Sequence, residues 1–297
     1  MTTVLDPTQL GEVRRLSPAH LLRLPLPRAL RGRFSLVLGV ALLLVIAVLT
    51  LGAPLFTSWS PTDIDAISPL VPPGTGGHLL GTDEFGRDLW ARVLYGGRYD
   101  LAIAFGATAV TALVGTAVGM VAAWVGGWFE ALVMRVVDLV FAFPFIVLVI
   151  AIVASLGPSL RNMFIALWVA SWVGYARIAH GQTLAARRYG YVVAATVLGY
   201  SSARVLARHV LPSVLPLVIV FAMVDAVGNV LLGASLGFLG IGVRQPTPEW
   251  GSMISGGQNY ILSNWELSLV PGIALVVLGV AFSLLGDGLA DVLRQKQ

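Results

Sequence analysis

The 297-residue chain has no cysteine, a single lysine and few charged side chains of any kind. Without cysteine there is no disulfide and no thiolate chemistry. The one lysine, Lys296, stands at the far end of the sequence. A phosphate-binding loop of the G-x-x-x-x-G-K-[ST] kind therefore cannot be built, and the chain does not hydrolyse ATP by that route. The four histidines, His20, His78, His180 and His209, are scattered, and none forms an i, i+4 pair around a glutamate. That argues against a zinc hydrolase site, and no stretch resembles a nucleophile elbow. Charged residues make up 11% of the chain, against about 25% in a soluble domain.

What is present is apolar: 57% hydrophobic residues and a mean hydropathy of +0.85. So few charges cannot cover a water-facing surface, and the composition reads as an all-α integral membrane protein. Six apolar runs reach or approach the roughly 20 residues a bilayer requires: 34–56, 101–125, 136–156, 163–180, 213–233 and 266–286. The fourth is the shortest. None alternates with period 2, which disfavours a β-barrel.

The net charge is +4. With basic residues concentrated in the tail and loops, it reads as a membrane-orientation signal rather than a nucleic-acid surface. With the N-terminus inside, the inner segments hold Arg14, Arg15, Arg23, Arg28, Arg31, Arg33, Arg135, Arg177, Arg187, Arg188, Arg204, Arg208, Arg294 and Lys296. The outer segments hold Arg87, Arg92, Arg98, Arg161 and Arg244. This asymmetry places both termini in the cytoplasm. The expected organisation is a cytoplasmic tail at 1–33, a first span with its outer segment at 34–100, a membrane domain at 101–290 with an inner loop at 181–212, and a short tail at 291–297. The first tail is polar and Arg-rich, unlike a signal peptide. The two long outer segments, 57–100 and 234–265, contain Trp and apolar clusters and read either as functional loops or as caps over helix ends.

One inner stretch stands out: YVVAATVLGYSSARVLARHVLP, Tyr191 to Pro212. It predicts a short helix over 188–198, a turn at Gly199, and a second helix capped by Ser201 or Ser202 and running to about Leu211. Pro212 then ends that helix or opens the next span. The small residues Ala194, Ala195 and Gly199 let another surface approach the backbone. Arg204 and Arg208, four apart, share a face. Two readings are open. One is a knob that fits a groove on a soluble partner; the other is a surface helix whose arginines hold membrane lipid headgroups.

The stretch resembles the EAA loop of bacterial ABC importer permeases, the segment that docks into the ATPase subunit. Ala194, Ala195, Gly199, Leu211 and Pro212 fall at the positions of that pattern. Val193 stands where the family usually has Glu, and Thr196 where the subfamily often has Arg. HLLGTDEFGRDLWARVLYGGRYDL (His78–Leu101) resembles the outer signature of the C-type permease of dipeptide and oligopeptide importers. MRVVDLVFAFP (Met134–Pro144), ASLGFLGIGVRQPTPEWGSM (Ala234–Met253) and LLGDGLAD (Leu284–Asp291) fit the same family. Gly233 stands where the family often has Glu.

The resemblance implies a type I ABC importer permease fold with six transmembrane helices in a bacterial inner membrane. It also implies a second homologous permease, two ATP-binding subunits that carry ATP and Mg, and an extracytoplasmic substrate-binding protein. Transport would proceed by alternating access, with the Tyr191–Pro212 loop carrying ATPase movement to the spans. No cofactor, metal or nucleic acid is implied on this chain. Di- and oligopeptides are the implied cargo, with nickel and glutathione as alternatives within the same class. Two rivals lie outside it: a self-contained proton-driven carrier and a membrane scaffold without transport.

Within the outer signature, Gly81, Gly86, Gly96 and Gly97 permit turns. Thr82, Asp83, Glu84, Arg87 and Asp88 surround them, and the charged members can pair among themselves. Leu89, Trp90, Val93 and Leu94 predict one side of a helix at the membrane interface. The segment reads as a scaffold near the binding-protein dock or as a cap on the second span. Arg135 and Asp138 are spaced to pair, and Pro144 predicts a kink in the third span. Asp225 lies mid-span with Asn229 one turn on. An ionisable group at mid-membrane costs about 2.5–3.5 kcal/mol on insertion scales, so it must face the bundle or the pore. It reads as a polar helix–helix contact or as a proton relay. Gly115 and Gly119 form a G-x-x-x-G pair suited to close helix packing.

Overall fold

The computed structural model describes residues 28–294, with side chains from 33 to 293. Lys296 and most of the expected N-terminal tail lie outside the described residues. Eleven α-helices follow in order: α1 (Arg28–Leu51), α2 (Ala53–Phe56), α3 (Leu89–Val125), α4 (Gly127–Phe141), α5 (Phe145–Leu156), α6 (Leu160–Ala186), α7 (Gly190–Val197), α8 (Ser202–Val205), α9 (Leu211–Phe238), α10 (Trp250–Gly257) and α11 (Glu266–Arg294). Among the described residues there are no named strands, so the all-α expectation holds.

Four helical stretches are long and apolar enough to cross a membrane alone: Arg33–Leu51, Leu89–Val125, Ser202–Phe238 and Glu266–Leu293. They contain the first, second, fifth and sixth expected spans, except that the first expected span overruns α1 at Gly52. The third expected span is not one helix. It breaks into α4 and α5, which bend by 85° at residues 142–144. Pro144 is the N-cap of α5 and cannot donate a backbone hydrogen bond, which interrupts the helical ladder at the bend. The fourth expected span lies inside α6, 27 residues long, but α6 does not reach the apolarity of the other four. It carries Trp168, Ser171, Tyr175, Arg177 and His180, and it covers Tyr175 and Ser171 by packing on α3 and α9.

α3 is the spine. Asp88 caps it, its side chain accepting from the Ala91 N–H, so the helix starts twelve residues before the expected span. Leu89, Val93 and Leu94 are therefore the buried first turns of α3, not a separate interfacial helix. Gly96 and Gly97 are not turns either. They lie inside α3, where a Cβ on Gly97 would overlap Thr50 and meet Trp250 Cζ2 at 2.7 Å. Further along, a Cβ on Gly115 or Gly119 would overlap the carbonyl of Trp172 or Ala176. The G-x-x-x-G pair thus seats α6 on α3 within this chain, where small residues let backbones touch. α1 packs mainly along α11. Three buried clusters line these contacts: one joins α1, α3, α9, α10 and α11, one joins α3, α6, α7 and α9 near the inner loop, and one joins α3, α5, α6 and α9.

Candidate functional site

The inner loop folds as helix, turn, helix. α7 ends at the Leu198 C-cap, and Gly199 follows at φ +79°. A side chain at that φ is strained, which explains glycine there. Ser201 occupies the N-cap position of α8, but its hydroxyl makes no cap hydrogen bond. The second helix does not end at Pro212; that residue stands in the first turn of α9, the second of its two expected roles. The helix passes through a π-helical turn, Leu206–Val210, directly into α9, so Ser202–Phe238 is one continuous helix. Pro212 removes one donor, and its ring crowds the carbonyl four residues back; the wider π turn accommodates both.

The faces of the loop differ from expectation. Val192 and Ala195 are buried and form its own core with Val205 and Val210. Ala195 is therefore not part of a contact surface. The exposed tip is apolar: Tyr191, Val193, Val197 and Leu198, with Val197 at 81% and Leu198 at 73% exposure. Ala194, Gly199 and Pro212 are exposed beside them, and Leu211 is half-buried. Arg204 and Arg208 are exposed on the flank, and the Arg204 guanidinium lies 5.4 Å from the Tyr200 ring. Arg187 ties the loop to α3 by donating to the Ala123 carbonyl at 2.7 Å.

Above the loop, α6 and α9 meet through polar groups. Tyr175 Oη donates to Asp225 Oδ2 at 2.8 Å, and Asn229 Nδ2 donates to the same oxygen at 3.0 Å. Asn229 Nδ2 also reaches Thr108 Oγ1 on α3 at 3.0 Å. Asp225 and Asn229 therefore make an interhelical contact, as expected of an acid that must face the bundle. Asp225 also lines a cavity of 420 Å³ between the α4–α5 bend, α6 and α9. Its walls include Phe141, Phe143, Phe145 and Phe221, and its other charged group is Arg177. Arg177 pairs with Asp138 on α4; the expected Arg135–Asp138 pair is replaced by this cross-helix one.

The outer signature forms a buried polar cluster rather than a set of surface pairs. Gly81 and Gly86 adopt φ +80° and +74°. The turns bring the Asp83 carboxylate to Arg87 Nε at 2.7 Å and to Arg92 Nε at 3.3 Å. Thr82 Oγ1 donates to the Ser68 carbonyl at 2.7 Å, and Asp88 Oδ2 meets His78 Nδ1 at 2.8 Å. Asp83, Arg87, Asp88 and Arg92 are each no more than 5% exposed. Burial makes these pairs matter more than surface pairs, because removing one partner strands the other. Arg92 further donates to the carbonyls of Pro61 and Pro246, stapling the two outer segments together. Glu249 caps α10, accepting from the Gly251 and Ser252 N–H groups at 2.6 and 2.9 Å. Trp250 Nε1 donates to the Val93 carbonyl at 2.9 Å. Burial pushes the Glu249 carboxyl up to about 7, against the lowering by those two N–H groups.

Residues 115–297 match the family described as binding-protein-dependent transport system inner membrane component. The chain belongs to that family. A probable D,D-dipeptide transport system permease protein of Escherichia coli K12, DdpC, is 36% identical over 85% of this chain and 86% of its own length. A putative peptide transport system permease protein of Brucella suis biovar 1 is 42% identical over 90% of this chain and 89% of its own length. Among solved structures, an inward-facing form of the MetNI methionine ABC transporter superposes with a TM-score of 0.56 and 20% identity, covering 69% of this chain and 96% of that one. That likeness gives the fold, a type I importer permease. The protein is thus a multi-pass inner-membrane permease subunit of a transport system that depends on a binding protein.

Arg92, Glu249 and Trp250 are the site residues that sequence reasoning missed as partners. One signal was available: Glu249 precedes a small-residue helix and can cap it. For Arg92 the stapling role offered none: Asp83 is near in sequence, but the carbonyls it bridges lie 31 and 154 residues away.

Proposed function

We propose that the chain forms half of the translocation pathway of an ATP-driven importer of di- and oligopeptides, with a second homologous permease supplying the other half. Two ATP-binding subunits would bind ATP and Mg and perform hydrolysis, while this chain couples to one of them through the 191–212 loop. The observation that carries the coupling is the exposed apolar tip, Tyr191, Val193, Val197 and Leu198, on α7, one tight turn before the unbroken helix Ser202–Phe238. An apolar knob of this size is costly in water and is stabilised by a partner groove. Val193, where the family usually has Glu, extends that apolar surface. The grip therefore rests on shape and apolar burial, with Arg204 and Arg208 on its flank. The outer cluster, Gly81, Thr82, Asp83, Gly86, Arg87 and Asp88, holds the periplasmic cap rigid beneath the binding protein. The peptide cargo is supported by the peptide-transport relatives.

The test is uptake into proteoliposomes that hold this chain with its companion permease, ATP-binding subunits and binding protein. ATP-dependent accumulation of labelled di- and tripeptides is expected. Accumulation of Ni²⁺ without peptides would replace the cargo. Uptake by the purified single chain, driven by a proton gradient, would overturn the class.

A further inference from the structure

Tyr175, Asn229 and Thr108 surround the Asp225 carboxylate. The hydrogen bonds from Tyr175 and Asn229 both go to Oδ2, and neither uses Oδ1. Among the described residues no Arg, Lys or His forms an ion pair with Asp225. The residue nonetheless lines the 420 Å³ cavity. A carboxylate facing a cavity inside the membrane, without a cation of its own, is unfavourable unless something passing through supplies one. Ser171 lines the same cavity, only 7% exposed, and its Oγ has no hydrogen-bond partner.

The rest of the wall sets the chemistry of that visitor. Phe221 lies one helical turn before Asp225, and the rings of Phe141, Phe143 and Phe145 complete the wall. Aromatic faces attract an ammonium group and also accommodate apolar side chains. A hydrated divalent cation would need several oxygen ligands, and this wall offers one carboxylate. Arg177 supplies a positive group to the same cavity; it is bound to Asp138 but half exposed, within reach of a carboxylate. One acid, one base and an aromatic wall suit a short zwitterion.

We infer that Asp225 is the point in the pathway that receives the free α-ammonium group of a passing peptide, with the Phe side chains against the peptide body. The inference rests on the peptide-import reading above. It makes Asp225 a binding residue as well as an interhelical contact.

The test uses the complete transporter with its binding protein in proteoliposomes, and labelled trialanine and N-acetyl-trialanine as probes. The affinity of the binding protein for each probe is measured separately, and uptake is compared at saturating binding protein and equal assembled complex. Asp225→Asn is expected to lower trialanine uptake about tenfold or more, the scale of one charge-assisted hydrogen bond. Asp225→Glu keeps most of it. Tyr175→Phe, which removes a bond to the same carboxylate but no charge, also keeps most of it. The gap between wild type and Asp225→Asn closes for N-acetyl-trialanine. Equal loss in Tyr175→Phe and Asp225→Asn would show a purely interhelical role and overturn the inference, as would equal loss for both probes. Undiminished trialanine uptake by Asp225→Asn overturns it alone, with the peptide reading intact. A wild type that assembles but imports no peptide overturns both.

Discussion

Gly237 and Glu249 stand so close that a methyl group on Gly237 would overlap Glu249 Oε2. The carboxylate cannot swing clear, because both of its oxygens hold backbone N–H groups of α10. Gly237→Ala is therefore expected to loosen the outer cap, at about 1–3 kcal/mol for overpacking and about 1 kcal/mol more if the helix cap is lost. A lower thermal unfolding temperature in detergent would register it, and an unchanged one would contradict it.

The same carboxyl gives the outer cap a pH dependence. Its value in the fold is about 7, against an ordinary 4.5. Between those values the folded protein holds a proton that the unfolded chain has released, so stability falls as pH rises through that window. Unfolding temperature should be higher at about pH 5 than at about pH 8, and Glu249→Gln, neutral throughout, should reduce that difference, the remainder belonging to the buried Asp100 carboxyl that shares the site.

Arg92 is expected to be the least replaceable charge of the outer cluster. Arg92→Leu leaves the buried Asp83 carboxylate with Arg87 as its remaining cation and removes the Arg92 donor from the carbonyls of Pro61 and Pro246. A hydrogen bond from a charged donor is worth about 1.5–3 kcal/mol. Limited proteolysis should then cut within residues 57–88 or 239–249; wild-type resistance would show that Arg87 alone suffices.

On the inner side, Val197→Asp and Leu198→Asp should leave the chain folded and inserted, since both side chains are exposed. They should abolish ATP-coupled uptake and co-purification of the ATP-binding subunit. Retention of that subunit by both variants would move the contact elsewhere. Ala195→Asp tests something different: it buries a charge in the core of the loop, so loss of the loop fold is expected first.

Where α6 sits on α3 there is no room for a side chain. Gly119→Val places atoms on the Ala176 carbonyl. The variant should fail to accumulate in the membrane, a loss visible by blotting, whereas Gly181→Ala, with open space around its Cβ position, should accumulate normally.

Four spans were legible because an unbroken apolar run needs no partner to be recognised. Gly199 was legible in the same local way, as a turn. The α4–α5 bend was half legible: Pro144 announces an interruption, but an angle of 85° depends on what packs around it. α6 was hardest, because Tyr175, Arg177 and His180 dilute its apolarity and find their partners on α9 and α4. The buried state of Asp83, Arg87 and Arg92 was illegible for the same reason. A charged string looks like surface until a segment more than 150 residues away, here Gln245 and Pro246, closes over it.

The unbroken run from Ser202 to Phe238 has a mechanical consequence. Asp225 lies about 35 Å along the shaft from Ser202, at 1.5 Å per residue. A shaft of that length turns a tilt of about 5° at the cytoplasmic knob into a displacement of about 3 Å at the carboxylate. A tight turn at 199–201 joins the knob to the rod, and the π turn at Leu206–Val210 and Pro216 inside α9 are places along it where the rod can flex.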